Sequence, residues 1–199
     1  MRTVIRCDDP EVDPYRWLTS LVLPRPIAWI SSVGADGVAN LAPHSFFSVA
    51  CAHPPIVSFT SVGDKDTLAN VRATGEFVVN LATLAMLELV NNTSARFAPD
   101  VDEAAALGIC VEPSTLVTPM RVTDSPASLE CRLHSTQTLG DSTLVLGEVL
   151  AFSVREEMLV DGRPDASRLR PLSRLGGNLW GLPPDPVAVR RPVQPDEIV

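Results

Sequence analysis

The chain has 199 residues, 45% hydrophobic and 20% charged, which suits a globular domain with its own core. Its formal net charge of -8 argues against a general nucleic-acid or anionic-membrane surface. The opening MRTVIRCDDPEVDP lacks an apolar run of signal-peptide length, and the longest apolar stretch, 77–90, is too short for the ~20 residues of a membrane span.

Pro14 suits the first turn of a helix that places Trp17, Leu18, Leu21 and Val22 at helical spacing, and Pro24 and Pro26 stop it. Residues 27–33 read as a strand, 34–37 as a hairpin loop and 38–41 as the return. Pro43 has no N–H to give a ladder, so it is expected at a strand end or bulge. Strands at 45–51 and 56–61 follow, separated by His53-Pro54-Pro55. Such closely spaced short strands suggest a small antiparallel barrel or sandwich. Asp64 to Thr67 supplies cap chemistry for a helix running to Thr74, with Leu68 and Val71 inward and Gly75 as the stop. Residues 76–82 read as a strand, and 84–90 as a helix with Leu84, Leu87 and Val90 on one side. A short capped helix is expected over 102–107. Two long strands, 128–138 and 143–154, form a hairpin through Gly140 and Asp141, and 158–160 adds a short strand. Residues 1–182 read as one domain. Residues 183–199 hold five prolines in 17 positions and read as a surface arm.

The hydrolase and metal signatures are missing: no Gly-x-Ser-x-Gly, no His-Glu-x-x-His and no Gly-x4-Gly-Lys loop occurs. The histidines, His44, His53 and His134, have no ligand spacing and read as structural or surface groups. Cys7, Cys51, Cys110 and Cys131 form no Cys-x-x-Cys pair and read as buried thiols of a reducing, cytoplasmic compartment. Arg163, Arg168, Arg170 and Arg174 gather near the end, as a solvated face or as a local anion site.

The stretch 25–80 holds the most specific chemistry. A helix N-terminus presents unpaired N–H groups and partial positive charge, Lys65 adds a full charge and Thr67 a hydroxyl, so a phosphate fits there. An ordinary capped surface helix is the alternative. Asp66 is an anion, expected to cap the helix or to hold Lys65 or an arginine. Asn40 and Ser45 flank Leu-Ala-Pro-His, where a broken ladder would leave N–H groups for a flat ligand with a donor–acceptor edge. Serines at the strand ends read as outward-facing hydroxyls.

Taken in order, Arg25-Pro-Ile-Ala-Trp-Ile, Gly37-x-x-Asn40-Leu-Ala-Pro43-x-Ser45-x-Phe47, Pro54-Pro55, Lys65-Asp66-Thr67-x-x-Asn70, Gly75-Glu-Phe-Val-Val-Asn80, Ser128-Leu-Glu130-Cys131 and Arg174-Leu-Gly-Gly-Asn178 resemble the flavin reductase-like family of FMN-binding split barrels, the flavoredoxin type. The resemblance spans about 15–180. It implies a mainly β fold with flanking helices, a six-stranded antiparallel Greek-key barrel, and a homodimer holding FMN near the subunit interface. Carried onto this chain, Lys65 and Thr67 are phosphate partners, with Asp66 beside them. Asn40, Ala42, Pro43, His44, Ser45 and Phe46 follow the ring and ribityl chain. Ser31 and Ser32 are further contacts, and Arg174 closes the site. Trp180 stands where relatives often carry Tyr. The implied reaction is hydride transfer from NADH or NADPH to the flavin, with reduced flavin passed to a partner such as a monooxygenase. That transfer runs directly between rings, so no acid–base residue is assigned. A non-enzymatic FMN-binding electron carrier and a flavin oxidoreductase acting on another small substrate are the alternatives.

Overall fold

The computed structural model describes residues 1–194; positions 195–199, the end of the expected arm, lie outside the described residues. Seven strands form one antiparallel sheet: β1 (Ala28–Val33), β2 (Ala39–His44), β3 (Phe47–Cys51), β4 (Ile56–Val62), β5 (Glu76–Leu81), β6 (Ala127–Leu139) and β7 (Ser142–Val154). Their order is β2-β1-β5-β6-β7-β4-β3, so the hairpin partners β1 and β2 lie at one end and β3 and β4 at the other. The class is the expected mainly β split barrel with flanking helices, with seven ladder strands where six were anticipated.

Alternation along β1 builds two cores from one strand. Ala28 and Ile30 join Val57, Phe59, Phe77, Val79, Cys131, Val145 and Val149 in the first, and Leu68 and Val71 of helix α2 (Asp66–Thr74) complete it. Trp29 points the other way, into a second cluster with Leu41, Met86, Val90, Ala104, Ile109 and Val122. Gly147 is required by the first core: a Cβ there would meet the Phe77 ring at 2.2 Å. Gly75 ends α2 in the left-handed region with φ 75°.

Several details depart from the sequence reading. Pro43 lies inside β2, opposite Trp29, and the ladder runs on to His44 before bending at Ser45 and Phe46. The reason is position: β2 is an edge strand. Leu41 sends its N–H away from the ladder to the Glu103 carboxylate at 2.9 Å, and Pro43, two residues on, turns its nitrogen to that same open edge. Residues 84–86 form a 3-10 turn before α3 (Leu87–Asn92), which shifts the helical phase, so Met86 and Val90 are buried while Leu84 is exposed. The short strand near 158–160 is Leu159–Val160, paired with Arg163–Pro164. Helix α1 (Pro14–Leu21) is capped by Asp13, yet it leaves Trp17, Leu18 and Leu21 exposed. Of the cysteines, Cys131 is buried, whereas Cys7 and Cys110 are exposed and all four are free thiols. Helix α4 (Glu103–Ala106) has the expected cap, Asp102, accepting from the Ala105 N–H at 3.0 Å. Residues 183–194 carry no helix or strand. Among the described residues no helix is long and apolar enough to cross a membrane.

Candidate functional site

A trough of about 580 Å³ runs along the open edge of β2. Its walls include Asn40, Ala42, Pro43 and His44 from β2, and Lys65, Asp66 and Thr67 from the start of α2. Lys65 is the N-cap of α2 and no side chain caps that end. The first-turn amides therefore face the trough without a side-chain cap among the described residues. Asp66 occupies the first helical position and does not cap; it lines the trough and complements the dipole. Lys65 is exposed and forms no salt bridge among the described residues. Of the two acids that flank it in sequence, Asp64 reaches toward Arg72 instead, at 3.9 Å.

Thr67 is buried and accepts a hydrogen bond from the Asn40 amide at 2.9 Å. That bond ties the helix start to the strand edge and fixes both side chains. His44 is also buried, with its ring 4.9 Å from that of Phe59 and its Nε2 without a partner. Burial, and then the Lys65 charge, pushes its pKa down to about 4 against a backbone contact with Thr60. The ring is neutral at pH 7. Glu103, also on the trough wall, is pushed above the usual carboxylate range by burial, with the Leu41 N–H bond working the other way.

The trough shares Pro43 and Ser94 with a hollow of about 110 Å³, which Ser45, Arg174 and Trp180 also line. The Arg174 guanidinium lies 4.7 Å from the Trp180 ring centre, so Trp180 does form an aromatic wall there. Phe46 lies outside the trough, against Tyr15 at 6.2 Å and in an apolar recess with Leu18 and Val22.

Ser31 and Ser32 are elsewhere. Ser31 is buried, donating to the Met120 carbonyl and accepting from Asn80, while Ser32 accepts from the Asn70 amide at 3.3 Å. Neither lines the trough, because β1 lies inside the sheet and its hydroxyls find partners within the fold. Asn80 is equally internal. Its amide donates to the Trp29 carbonyl at 3.0 Å, and its oxygen accepts from the Val122 N–H at 2.9 Å and the Ser128 hydroxyl at 3.0 Å. Glu130, fully buried, accepts the Thr115 and Leu116 N–H groups. These motif residues hold the scaffold. Of the clustered arginines, Arg168 donates to the carbonyls of Glu157 and Leu159.

Sequence reading missed the segment after α3. Thr93, Ser94, Ala95, Arg96 and Phe97 form part of the trough wall. Thr93 is fixed by the Trp29 indole N–H at 2.9 Å, which sets the position of the loop. In the sequence, Asn91-Asn92-Thr93-Ser94 is a run of helix-ending residues, and nothing in the spacing of Arg96 and Phe97 beyond it points to the trough.

An unneutralised lysine, an uncapped helix start and fixed hydroxyl and amide groups along a narrow edge suit a phosphorylated flavin such as FMN. The comparisons bear on the family. A protein of Deinococcus radiodurans is 37% identical over 181 residues, spanning 84% of this chain and 79% of the relative. A flavin reductase (NADH) of Kitasatospora aureofaciens is 31% identical over 138 residues, 68% and 69% of the two chains. Nitrilotriacetate monooxygenase component B from Bacillus cereus superposes with a TM-score of 0.88 at 30% identity, over 95% of this chain and 98% of that one. Residues 20–169 match the flavin reductase like domain, and with the ladder and trough described above this places the chain in the flavin reductase-like family.

Proposed function

We propose that the protein binds FMN in the trough and transfers a hydride to it from NADH or NADPH. The carrying observation is the uncapped start of α2, with Lys65 and Thr67, on the same wall system as the β2 edge. In this reading the phosphate sits against Lys65, Thr67 and the first-turn amides, while Asn40, Ala42, Pro43, His44 and Ser45 follow the rest of the molecule. Phe46 supports that turn from behind, and Arg174 on Trp180 closes the far end. The flavin, when bound, supplies the hydride-accepting ring. The chain's own groups orient that ring, keep a neutral imidazole beneath the edge, and shield one face from water. Positioning of two stacked rings contributes up to about 7–11 kcal/mol, so the absence of an assigned acid or base is consistent with catalysis.

The named relatives support a reductase, one as a flavin reductase (NADH) and one as a component of a monooxygenase. Reduced flavin would then pass to a partner oxygenase. The exposed apolar surface of α1, with Trp17, Leu18, Leu21 and the neighbouring Val22, supports a homodimer covering it. The free cysteines suit a reducing cytoplasm. The segment from residue 183 is read as an arm outside the flavin-binding unit. Mixing the purified protein with FMN and either coenzyme, and following loss of reduced nicotinamide, tests the reading. Flavin binding without turnover by NADH or NADPH would remove the reductase reading and leave an electron carrier or a flavin oxidoreductase acting on another small substrate.

A further inference from the structure

Beyond Ser45 the hollow opens into a cavity of about 510 Å³, and the two share Ser45 and Arg174. We infer that this cavity is an anion-binding vestibule in which Arg174 reads a carboxylate or phosphate group of the second reactant. The identity of that reactant rests on the proposed function; the anion site does not.

The cavity carries uncompensated positive charge. Arg25 and Arg174 are direct register partners on two paired short strands, and both line the cavity. Arg25 is 7% exposed. Its guanidinium donates to the backbone carbonyls of Thr19, Val22 and Leu175, all neutral acceptors, and its Nε has no partner. Arg174 stacks on Trp180 and donates to the Leu179 carbonyl at 3.4 Å; among the described residues no carboxylate forms a salt bridge with it. The acid on this wall, Asp13, is engaged by Arg16 at 3.2 Å. Three arginines thus face one aspartate in a concavity of a chain whose net charge is -8. Like charges side by side in a partly dry site repel: burial lowers the Arg25 pKa, Tyr15 on the same wall works the other way, and the Arg174 charge adds to the lowering. An oxyanion relieves both costs, and a guanidinium fork suits it.

Position supplies the rest. The hollow links the two spaces, sharing Pro43 and Ser94 with the trough and Ser45 and Arg174 with the vestibule. A reactant anchored there by its anionic group would present its uncharged part to the trough. Two sources fit: the pyrophosphate of a nicotinamide dinucleotide, or the carboxylate of an organic acceptor.

Calorimetric titration of the FMN-saturated full-length protein with inorganic pyrophosphate and, separately, malonate tests this. Saturating FMN occupies the Lys65 corner, so added anion reports on the vestibule. We expect saturable binding that weakens at least tenfold in Arg174→Gln, recovers in part in Arg174→Lys, and changes less than threefold in Lys65→Ala. Pyrophosphate binding tighter than malonate supports the dinucleotide source, and the reverse order supports the carboxylate source. No saturable binding of either anion, or equal affinity in wild type and Arg174→Gln with unchanged melting temperature, overturns the inference. Should the protein bind no FMN, the proposed function fails, and the same titration without flavin, in the Lys65→Ala background, still decides this inference.

Discussion

Two rows of polar side chains lie on adjacent strands and have different fates. On β1, Ser31 and Ser32 point into partners supplied by Asn80, Asn70 and the Met120 carbonyl. Along the neighbouring edge, β2 and the start of α2 bring Asn40, Thr67 and Lys65 to the trough, where among the described residues Lys65 forms no salt bridge and the helix start has no side-chain cap. Residue type does not separate the two rows, since each pairs a hydroxyl with an asparagine amide: Ser31 with Asn80 and Ser32 with Asn70 in the first, Thr67 with Asn40 in the second. Strand position does. An interior strand has neighbours on both sides that satisfy its hydroxyls, whereas an edge strand faces a space that a ligand can fill.

The comparison can be broken first on its structural side. Asn80→Ala would leave the Trp29 carbonyl, the Val122 N–H and two hydroxyls short of a buried partner, and should cost roughly 4 kcal/mol in denaturant unfolding. The folded fraction should keep its FMN affinity. A loss of affinity with little loss of stability would move Asn80 into the binding row. His44 gives the next largest effect. Unfolded, its ring titrates near ~6.5, but in the fold it stays neutral until about 4. The unfolded chain therefore takes up the proton first. Stability is full above ~6.5 and declines as pH falls through about 4, by about 3 kcal/mol in all. Unfolding curves across that window should flatten in His44→Asn relative to wild type; parallel curves would contradict the buried neutral ring.

Thr67→Val tests a residue that belongs to both rows. It removes the acceptor for Asn40 and a donor to the trough, so stability and FMN affinity should each fall by ~1 kcal/mol. The smallest effect belongs to Ser32→Ala, whose partner amide is held at 3.3 Å and half-buried. About 0.5–1 kcal/mol of stability and no change in FMN affinity are expected by calorimetry. An altered affinity would return Ser32 to the binding row.

Much of the scaffold was legible because it is local. The Leu68 and Val71 face of α2, its Gly75 stop and the two-residue loop of the β6–β7 hairpin follow from spacing and turn chemistry. The place of Lys65 at the start of α2 was legible for the same reason, since a lysine beside a helix start is a sequence-local feature. What failed depended on neighbours in space. Pro43 was read as a break because its tolerance requires knowing that β2 is an edge. The inner face of 84–90 was misplaced because one 3-10 turn rotates the following helix. The ordered motif drew Ser31 and Ser32 toward the ligand, although the strand order buries them. Arg96 and Phe97 carried no periodic signal, and the Trp29–Thr93 bond that holds the start of their loop joins residues far apart in sequence.

The central claim is that a phosphate sits where Lys65 meets the start of α2, and FMN and riboflavin differ by that phosphate. Their affinities should be measured side by side, by quenching of flavin fluorescence, in wild type and Lys65→Ala. The account predicts a wild-type preference for FMN that shrinks by ~10–100-fold in the variant, equivalent to ~1.5–3 kcal/mol, while riboflavin affinity stays unchanged. A preference for FMN of the same size in both proteins would place the phosphate elsewhere and contradict the account.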